Sequence, residues 1–152
     1  MLMVAAGAAG WWIGSNAGSL NIPEVVDQYT AAWVDGDADA LAALYTEYGV
    51  YQEIGLADPV ADRVTLVDTY TGRASIRSRV SMGMGGADFD SLTVDPVTLV
   101  DDVISFEWTS TGTSNGLPFE TSGVSVFEMD GDLIARHIIY YNGAELFNVS
   151  GN

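Results

Sequence analysis

Apolar residues recur with a helical period near the start of the chain and alternate with polar residues over its second half. The first helix is predicted to follow Asn21, as its N-cap, and to end at Gly36. The apolar residues on one face of this helix are Ile22, Val25, Val26, Tyr29, Ala32 and Trp33. Asp37 is the predicted N-cap of a second helix, which ends at Gly49. This second helix would carry Leu41, Leu44, Tyr45 and Tyr48 on one side. We expect the two short amphipathic helices to cover one face of a sheet.

A strand period follows directly after the second predicted helix. Residues 50–54 alternate so that Tyr51 and Glu53 share one face of a strand, whereas Val50, Gln52 and Ile54 share the other. Residues 55–62, with Pro59, are predicted to form a loop, and residues 63–70 are interpreted as an extra strand.

A third helix is predicted over residues 73–82, opened by Thr71-Gly72. Ile76 and Val80 would point inward from it. The glycine-rich run of residues 82–86 is expected to break this helix and to form a mobile loop.

From Phe89 onward the pattern predicts strands only. Residues 89–99, with Pro96 at a bulge or edge, are followed by residues 103–111 and by a long hairpin over residues 119–142. Three helices in the first half and a meander at the end predict an α+β fold. In this fold the helices close a curved antiparallel sheet.

The register of the long hairpin decides which side chains lie on the inner face of the sheet. A three-residue turn at residues 130–132 pairs Met129 with Leu133 and Ser125 with His137. The inner face would then hold Thr121, Gly123, Ser125, Phe127, Ala135, His137, Ile139 and Tyr141. A two-residue turn would instead place two glutamates beside His137, so we prefer the three-residue turn. The consequence is a mostly apolar face that holds the only histidine of the sequence.

Composition narrows the functional classes. The chain has 152 residues, enough for one domain, and its 48% hydrophobic and 17% charged residues exclude disorder. A net charge of -16 disfavours binding to nucleic acid or to anionic membranes. All five basic residues are arginine, and the absence of lysine together with a preference for aspartate suggests a source with high salt or with an acidic proteome. The sequence contains no cysteine, which excludes disulfides and thiolate nucleophiles.

The first thirteen residues are almost wholly apolar but fall short of the ~20 residues that span a membrane. Three interpretations stay open: a signal or anchor remnant, an ordered arm that packs on the domain or a partner, and a start-site artefact. The predicted organisation is therefore an arm over residues 1–20, one domain over residues 21–148 and a tail over residues 149–152. Membrane contact is expected only through residues 1–13. Localisation stays open between cytoplasmic and exported.

Several segments carry a family resemblance by their order and spacing. They are Val25–Trp33, Gly36-Asp37, Leu41, Leu44-Tyr45, Thr71–Ile76, Gly123–Phe127, Asp130-Gly131 and Tyr140-Tyr141. Together they resemble the SnoaL-like polyketide cyclases of the nuclear transport factor 2-like superfamily, which also includes ketosteroid isomerases and limonene epoxide hydrolases. The resemblance covers residues 22–146. It implies that the sheet and the helices form a cone-shaped barrel around a deep apolar pocket, and often a dimer formed through the outer face of the sheet.

The residue pattern of the isomerases in this superfamily can be aligned with this sequence residue by residue. It places Tyr29 at the position of the oxyanion-binding tyrosine and Glu53 at that of the general-base aspartate. Ser125 falls where the isomerases have a protonated aspartate, which is a departure from their pattern. Ile139 falls where the epoxide hydrolases need an acid, and Asn142 where many SnoaL-like proteins have an aspartate.

Candidate chemistry centres on Glu53, Tyr29 and His137. Burial in an apolar pocket would suit Glu53 to proton transfer, although a strand-end glutamate can also face solvent. Asp58, in a stretch that resembles the isomerases, is a rival carboxylate or a turn residue. His137 could act on a substrate oxygen, or it could be a buried histidine bonded to Ser125. Tyr29 could bind an oxyanion or be a core aromatic residue.

The remaining candidates would form the pocket wall or its mouth. The predicted substrate-binding wall consists of Trp33, Tyr51, Phe106, Trp108, Ser125, Phe127, Ile139 and Tyr141. Arg73 and Arg77 could hold an anionic group at the mouth, or they could be solvated helix arginines. The sequence offers no metal-ligand constellation, so no metal site is predicted.

The leading hypothesis is a cofactor-independent enzyme that performs isomerisation or aldol-type cyclisation on a small apolar carbonyl or polycyclic compound. Glu53 would be the base, and Tyr29 and His137 would polarise the oxygen. One alternative is non-catalytic binding of an apolar small molecule. Another is an assembly protein that uses its apolar N-terminal arm. The expected partners are a small apolar molecule and further copies of the chain, as a homodimer or higher homo-oligomer.

Overall fold

The computed structural model describes the backbone of residues 22–58 and 63–141, and the side chains of residues 24–55 and 68–141. Within them lie three helices: α1 (Ile22–Asp35), α2 (Ala38–Ala43) and α3 (Arg73–Gly86). The strands are β1 (Tyr45–Asp58), β2 (Arg63–Thr71), β3 (Asp88–Val100), β4 (Val103–Ser114), β5 (Leu117–Asp130) and β6 (Leu133–Tyr141). The predicted arm and tail, the Asn21 cap and the side chains of Asp58 and Asn142 lie outside the described residues.

The strands form one sheet in the order β2-β1-β6-β5-β4-β3. The α+β class with three helices and the extra strand β2 are confirmed. The sheet differs from the expected antiparallel barrel in two respects: β1 and β6 pair in parallel, and the sheet stays open with β2 and β3 as its edges. The reason is that α3 carries the chain to the far edge of the sheet. The four-strand meander that follows returns its last strand beside β1 in the same direction.

The first helix forms as its sequence predicts. Val25, Val26, Tyr29 and Ala32 are buried against the core, and Gly36 follows the helix with a φ of 67°. The Gly36 and Asp37 amides donate to the carbonyl oxygens of Trp33 and Ala32, which satisfies the last turn of α1. The Asp37 carboxylate then accepts from the Ala40 amide at 2.9 Å and begins α2, as predicted.

The predicted length of α2 is wrong. The helix ends at Ala43, and the chain enters β1 at Tyr45 instead of continuing to Gly49. The Leu44 carbonyl oxygen accepts from the Ile134 amide of β6 at 2.8 Å, so pairing with a distant strand replaces the next turn of the helix. Gly49 lies within β1, at an irregularity in its pairing with β6, and does not end a helix.

The predicted break in α3 is also wrong, because the glycine-rich run of residues 82–86 is helical. Ile76 and Val80 are fully buried, as expected, and Met84 packs against the core. A Cβ atom on Gly83 would lie 3.4 Å from the Trp33 ring, so this glycine lets the helix approach α1 closely. Tertiary packing therefore outweighs the low helix propensity of glycine here.

The β5–β6 hairpin keeps the predicted inner face but not the predicted register. Phe127, not Ser125, lies opposite His137, and Asp130 pairs with Leu133 across a two-residue turn. An irregularity between Glu128 and Met129 adds one residue and restores the facing of the predicted arrangement. The expected face therefore survives over residues 121–127 and 137–141, although its cross-strand partners are shifted by two residues. The predicted inward position of Ala135 is wrong, because the fully buried Ile134 lies opposite Met129.

Registers between strands align the inner-facing residues into rows across β1, β6, β5 and β4. The first row is Tyr51, His137, Phe127 and Ile104. The second row is Glu53, Ile139, Ser125 and Phe106. The third row is Gly55, Tyr141, Gly123 and Trp108. A fourth row pairs Thr121 with Ser110 and Leu92.

Candidate active site

A cavity of about 390 Å³ opens on the inner face of the sheet, a size typical of small-molecule sites. Its apolar and aromatic lining includes Tyr29, Trp33, Tyr51, Met82, Phe89, Leu92, Trp108, Ile139 and Tyr141. The exposed residues Met82, Gly86 and Asn115 place its mouth between the end of α3 and the β4–β5 turn. The Ser114 hydroxyl donates to the Gly86 carbonyl oxygen at 3.0 Å and joins these two rims.

Glu53 is the buried carboxylate of the cavity wall, only 3% exposed. Its strand position points it inward, as the alternation predicts, and an irregularity in the β1–β2 pairing follows it directly. The Tyr51 hydroxyl donates to Oε1 at 3.0 Å. The Arg79 Nε and Nη2 atoms lie 3.1 and 2.9 Å from Oε2, and Nη2 also lies 2.7 Å from Oε1. These contacts compensate a negative charge that burial alone would disfavour.

Arg79 is a site residue that sequence reasoning missed. The arginines proposed for the cavity mouth are used elsewhere: Arg73 donates to the Tyr45 carbonyl oxygen at 2.6 Å, and Arg77 pairs with Asp39 on the surface. Arg79 follows the inward-facing Ile76 by three residues, which places it on the same side of the helix. This spacing indicates that Arg79 faces inward, although it does not reveal that its partner is Glu53 on β1.

Tyr29 lines the cavity from α1 and stands edge-on to several rings. Its centroid lies 5.2 Å from that of Phe127 and 5.4 Å from that of His137. Burial raises the pKa of Tyr29, and the nearby Glu53 charge adds to the rise, whereas hydrogen bonding with Trp33 and Ser125 opposes it. The hydroxyl therefore stays protonated at neutral pH and can donate a hydrogen bond.

His137 is fully buried and does not line the cavity. Its Nδ1 lies 2.7 Å from the Tyr45 hydroxyl and its Nε2 lies 3.0 Å from the Ser125 hydroxyl. Burial lowers the pKa of His137 to about 3, so the ring is neutral at physiological pH. Both ring nitrogens are thus used in a chain of contacts that runs from Tyr45 through Ser125 to Tyr29.

The structure divides the predicted wall into two groups. Trp33, Tyr51, Trp108, Ile139 and Tyr141 line the cavity. Phe106, Ser125 and Phe127 lie in the buried core, where the two phenylalanine rings pack against Tyr29. The lining residues that the sequence did not indicate include Arg79, Phe89, Leu92 and Ser110, whereas Thr121 lies on the predicted inner face of the hairpin.

Two further properties bear on the class of protein. No group of three or more histidine, aspartate or glutamate side chains within the described residues could hold a metal ion. None of the helices of that part of the chain is long and apolar enough to cross a membrane.

The fold and the cavity agree with the family comparison. A model of the SnoaL-like domain matches residues 26–137, which is more than half of the chain, so the protein belongs to the SnoaL-like family. This confirms the resemblance in the sequence. Among curated proteins, none matches this sequence.

Solved structures share the architecture at low sequence identity. A candidate isomerase from Bacillus subtilis is 21% identical, with a TM-score of 0.71 over 84% of this chain and 91% of its own. A Catenulispora acidiphila protein with a ketosteroid isomerase-like fold, solved with trimethylamine, is 23% identical, with a TM-score of 0.70 over 85% and 93%. A candidate polyketide cyclase from Xanthomonas campestris is 19% identical, with a TM-score of 0.64 over 84% and 95%. At these identities the likeness shows the shared fold alone.

Proposed function

We propose that the protein is an enzyme that moves a proton on a small apolar carbonyl or polycyclic compound, by isomerisation or aldol-type cyclisation. The observation that carries this proposal is the buried Glu53 carboxylate in the wall of an apolar cavity, beside a tyrosine that stays protonated. The structural neighbours described as a candidate isomerase and a candidate polyketide cyclase lend it support.

The proposed step uses side chains only. A Glu53 oxygen removes a proton from the carbon next to the substrate carbonyl, and the electrons of that C–H bond form the carbon–carbon double bond of an enolate. The carbonyl electrons move to the oxygen, where the Tyr29 hydroxyl donates a hydrogen bond. In isomerisation the substrate carries a carbon–carbon double bond next to that carbon, so the enolate is a conjugated dienolate, and protonated Glu53 returns the proton to its far carbon, which shifts the double bond. In cyclisation, the enolate carbon instead attacks a second carbonyl of the same molecule, the π electrons of that carbonyl move to its oxygen, and protonated Glu53 gives its proton to the resulting alkoxide. The proton moves between substrate and side chain, so the scheme requires no cofactor.

The groups behind the two catalytic residues have supporting roles in this proposal. Arg79 and Tyr51 stabilise the charged form of Glu53, which is the form that accepts a proton. His137 acts as a positioning residue, because its contact with Ser125 supports the hydroxyl that lies next to Tyr29. This differs from direct polarisation of the substrate oxygen by His137, since both of its nitrogens are already engaged.

Deuterium incorporation tests the proposal without knowledge of the natural substrate. Apolar ketones, including 1-tetralone, would be incubated in D₂O with the protein, and exchange next to the carbonyl would be followed by ¹H NMR. We expect the wild type to accelerate exchange for at least one ketone. Glu53→Gln, which keeps the shape of the side chain, should lower that rate by about 10²- to 10⁴-fold. Glu107→Gln, on the exposed outer face of β4, is the matched control and should exchange at the wild-type rate.

Non-catalytic binding of an apolar molecule is the second candidate. It is favoured by the engagement of both Glu53 oxygens by Arg79 and Tyr51, which leaves a satisfied ion pair in the wall. Chemical-shift changes of the cavity residues would show that the protein binds the ketones. Such binding without accelerated deuterium exchange in any ketone would support this candidate and refute the enzyme proposal.

A further inference from the structure

The cavity wall formed by β4 and β5 contains two buried polar atoms that lack a hydrogen-bond partner among the described residues. They are the Nε1 atom of Trp108 and the Oγ1 atom of Thr121. The two residues are 8% and 3% exposed, and both line the cavity. Folded proteins contain few such groups, because a buried polar atom without a partner loses its hydrogen bonds to water and gains none in return.

The two residues are neighbours on the inner face. Thr121 lies two positions before Gly123 on β5, and Gly123 lies opposite Trp108. The Trp108 indole rests on this glycine: a Cβ atom there would lie 2.5 Å from Cζ2 and 2.8 Å from Cε2, the carbon that bears Nε1. The absence of a side chain at position 123 therefore lets the indole lie against β5, on the same side as Thr121.

This polar pair is separate from the Glu53 end of the cavity. Ile139 and Tyr141 of β6 lie between the two in the sheet. Strands are about 4.8 Å apart, so β5 lies about 10 Å from β1 along the sheet. The charged lining residues within the described chain are Glu53 and Arg79, which pair with each other. The Trp108 end consequently offers neutral groups: an indole N–H that donates, and a hydroxyl that both donates and accepts.

We propose that Trp108 and Thr121 form a second polar subsite, which binds a hydroxyl or carbonyl oxygen of the substrate remote from its reacting carbonyl. The substrate class is then an apolar, uncharged molecule with one oxygen function at each end. This inference deepens the proposed function and rests on it for the reacting end only. The subsite itself is a binding property that can be measured in the absence of turnover.

The test compares two probes that differ by one remote oxygen, 1-tetralone and 6-hydroxy-1-tetralone. Their dissociation constants would be measured by NMR titration for the wild type, Trp108→Phe and Thr121→Val. The wild type should bind the hydroxylated probe more tightly, and each substitution should reduce that preference by about threefold to tenfold, the range of one hydrogen bond. The indole N–H resonance that disappears in Trp108→Phe should shift with the hydroxylated probe and not with 1-tetralone. Thr109→Val makes the same change on the outer face of β4 and should keep the preference.

The subsite is refuted if the wild type shows no preference for the hydroxylated probe, or if both variants keep that preference. It is also refuted if the Trp108 N–H resonance does not shift with the probe, which would mean that these polar atoms bind only a resident water. Its failure is distinguishable from failure of the proposed function. Glu53→Gln should retain the preference for the remote hydroxyl while it loses deuterium exchange. If Glu53→Gln loses deuterium exchange but the wild type shows no preference for the hydroxylated probe, the enzyme proposal is supported and the subsite is refuted.

Discussion

The neutral state of His137 is a property of one residue with a measurable consequence for stability. Burial lowers its pKa to about 3, below the value of about 6.5 that it regains in the unfolded chain. The unfolded chain therefore binds a proton more readily than the folded protein between these two values. The stability that His137 contributes is present in full above pH 6.5 and is lost progressively as the pH falls toward 3.

We expect the free energy of unfolding to record this difference. Between pH 6 and pH 4 the wild type should lose about 1.4 kcal/mol per pH unit more than His137→Gln, which cannot take up the proton. Urea unfolding at a series of pH values checks this, and the comparison with the variant removes the contribution of the many carboxylates. Parallel pH profiles for the two proteins would contradict a buried neutral histidine, as would titration of the His137 ring signal near pH 6.5.

At the scale of single residues, the sequence predicts positions more readily than partners. Strand alternation identifies Glu53 as inward-facing, and helix periodicity does the same for Tyr29, because both depend on local geometry. The ion pair of Glu53 with Arg79 joins β1 to α3, and no local rule indicates it. Likewise, the Trp108 nitrogen has no hydrogen-bond partner among the described residues because of how the whole indole lies on Gly123, and this placement has no local signal.

At the scale of elements, the departures from the predicted structure occur where a long-range pairing competes with a local signal. α2 ends early because Leu44 is bonded to β6, and α3 continues through its glycines because Met84 and Gly83 pack inward. The strand β3 and both caps around Gly36 depend on local residues and are correctly predicted. The open, mixed sheet could not be predicted from any single segment.

The helical state of the glycine run leads to a test at the same scale. Gly85 is exposed within α3, and a Cβ atom there would meet no atom within 4 Å. Gly85→Ala should therefore raise the free energy of unfolding by about 0.5 to 1 kcal/mol, since alanine favours a helix over the unfolded chain. Chemical denaturation measures the change.

The matched substitution in a strand should act in the opposite direction. A Cβ atom on Gly112 of β4 would lie 2.1 Å from the Asp88 carbonyl oxygen, so Gly112→Ala must separate β3 from β4. We expect a loss of about 1 to 3 kcal/mol, typical of overpacking. If Gly85→Ala left stability unchanged while Gly112→Ala lowered it, residues 82–86 would behave as a loop and not as the end of α3.

At the scale of the whole molecule, the outer face of the sheet combines an apolar patch with a strongly acidic chain. Val124 and Tyr140 lie opposite each other on β5 and β6 and are 37% and 41% exposed. The adjacent pair, Val126 and Ile138, is half-buried on the same face. We propose that this patch joins two copies of the chain, because association would cover apolar side chains that the single chain leaves in water.

The net charge of -16 opposes that association, and salt should therefore control it. Raising the ionic strength from 0.1 to 1 M shortens the screening length from about 10 to 3 Å, so the dimer should become tighter with salt. Sedimentation velocity would follow the dissociation constant. Val124→Asp adds a charge to the centre of the patch and should give a monomer even at 1 M salt. Val34→Asp, at a similarly exposed position (39%) on α1, is the control that should still dimerise. A dimer that persists in Val124→Asp would place the contact elsewhere on the surface. A wild type that stays monomeric at every salt concentration would show that charge repulsion is not what keeps the copies apart, and it would contradict the proposed patch.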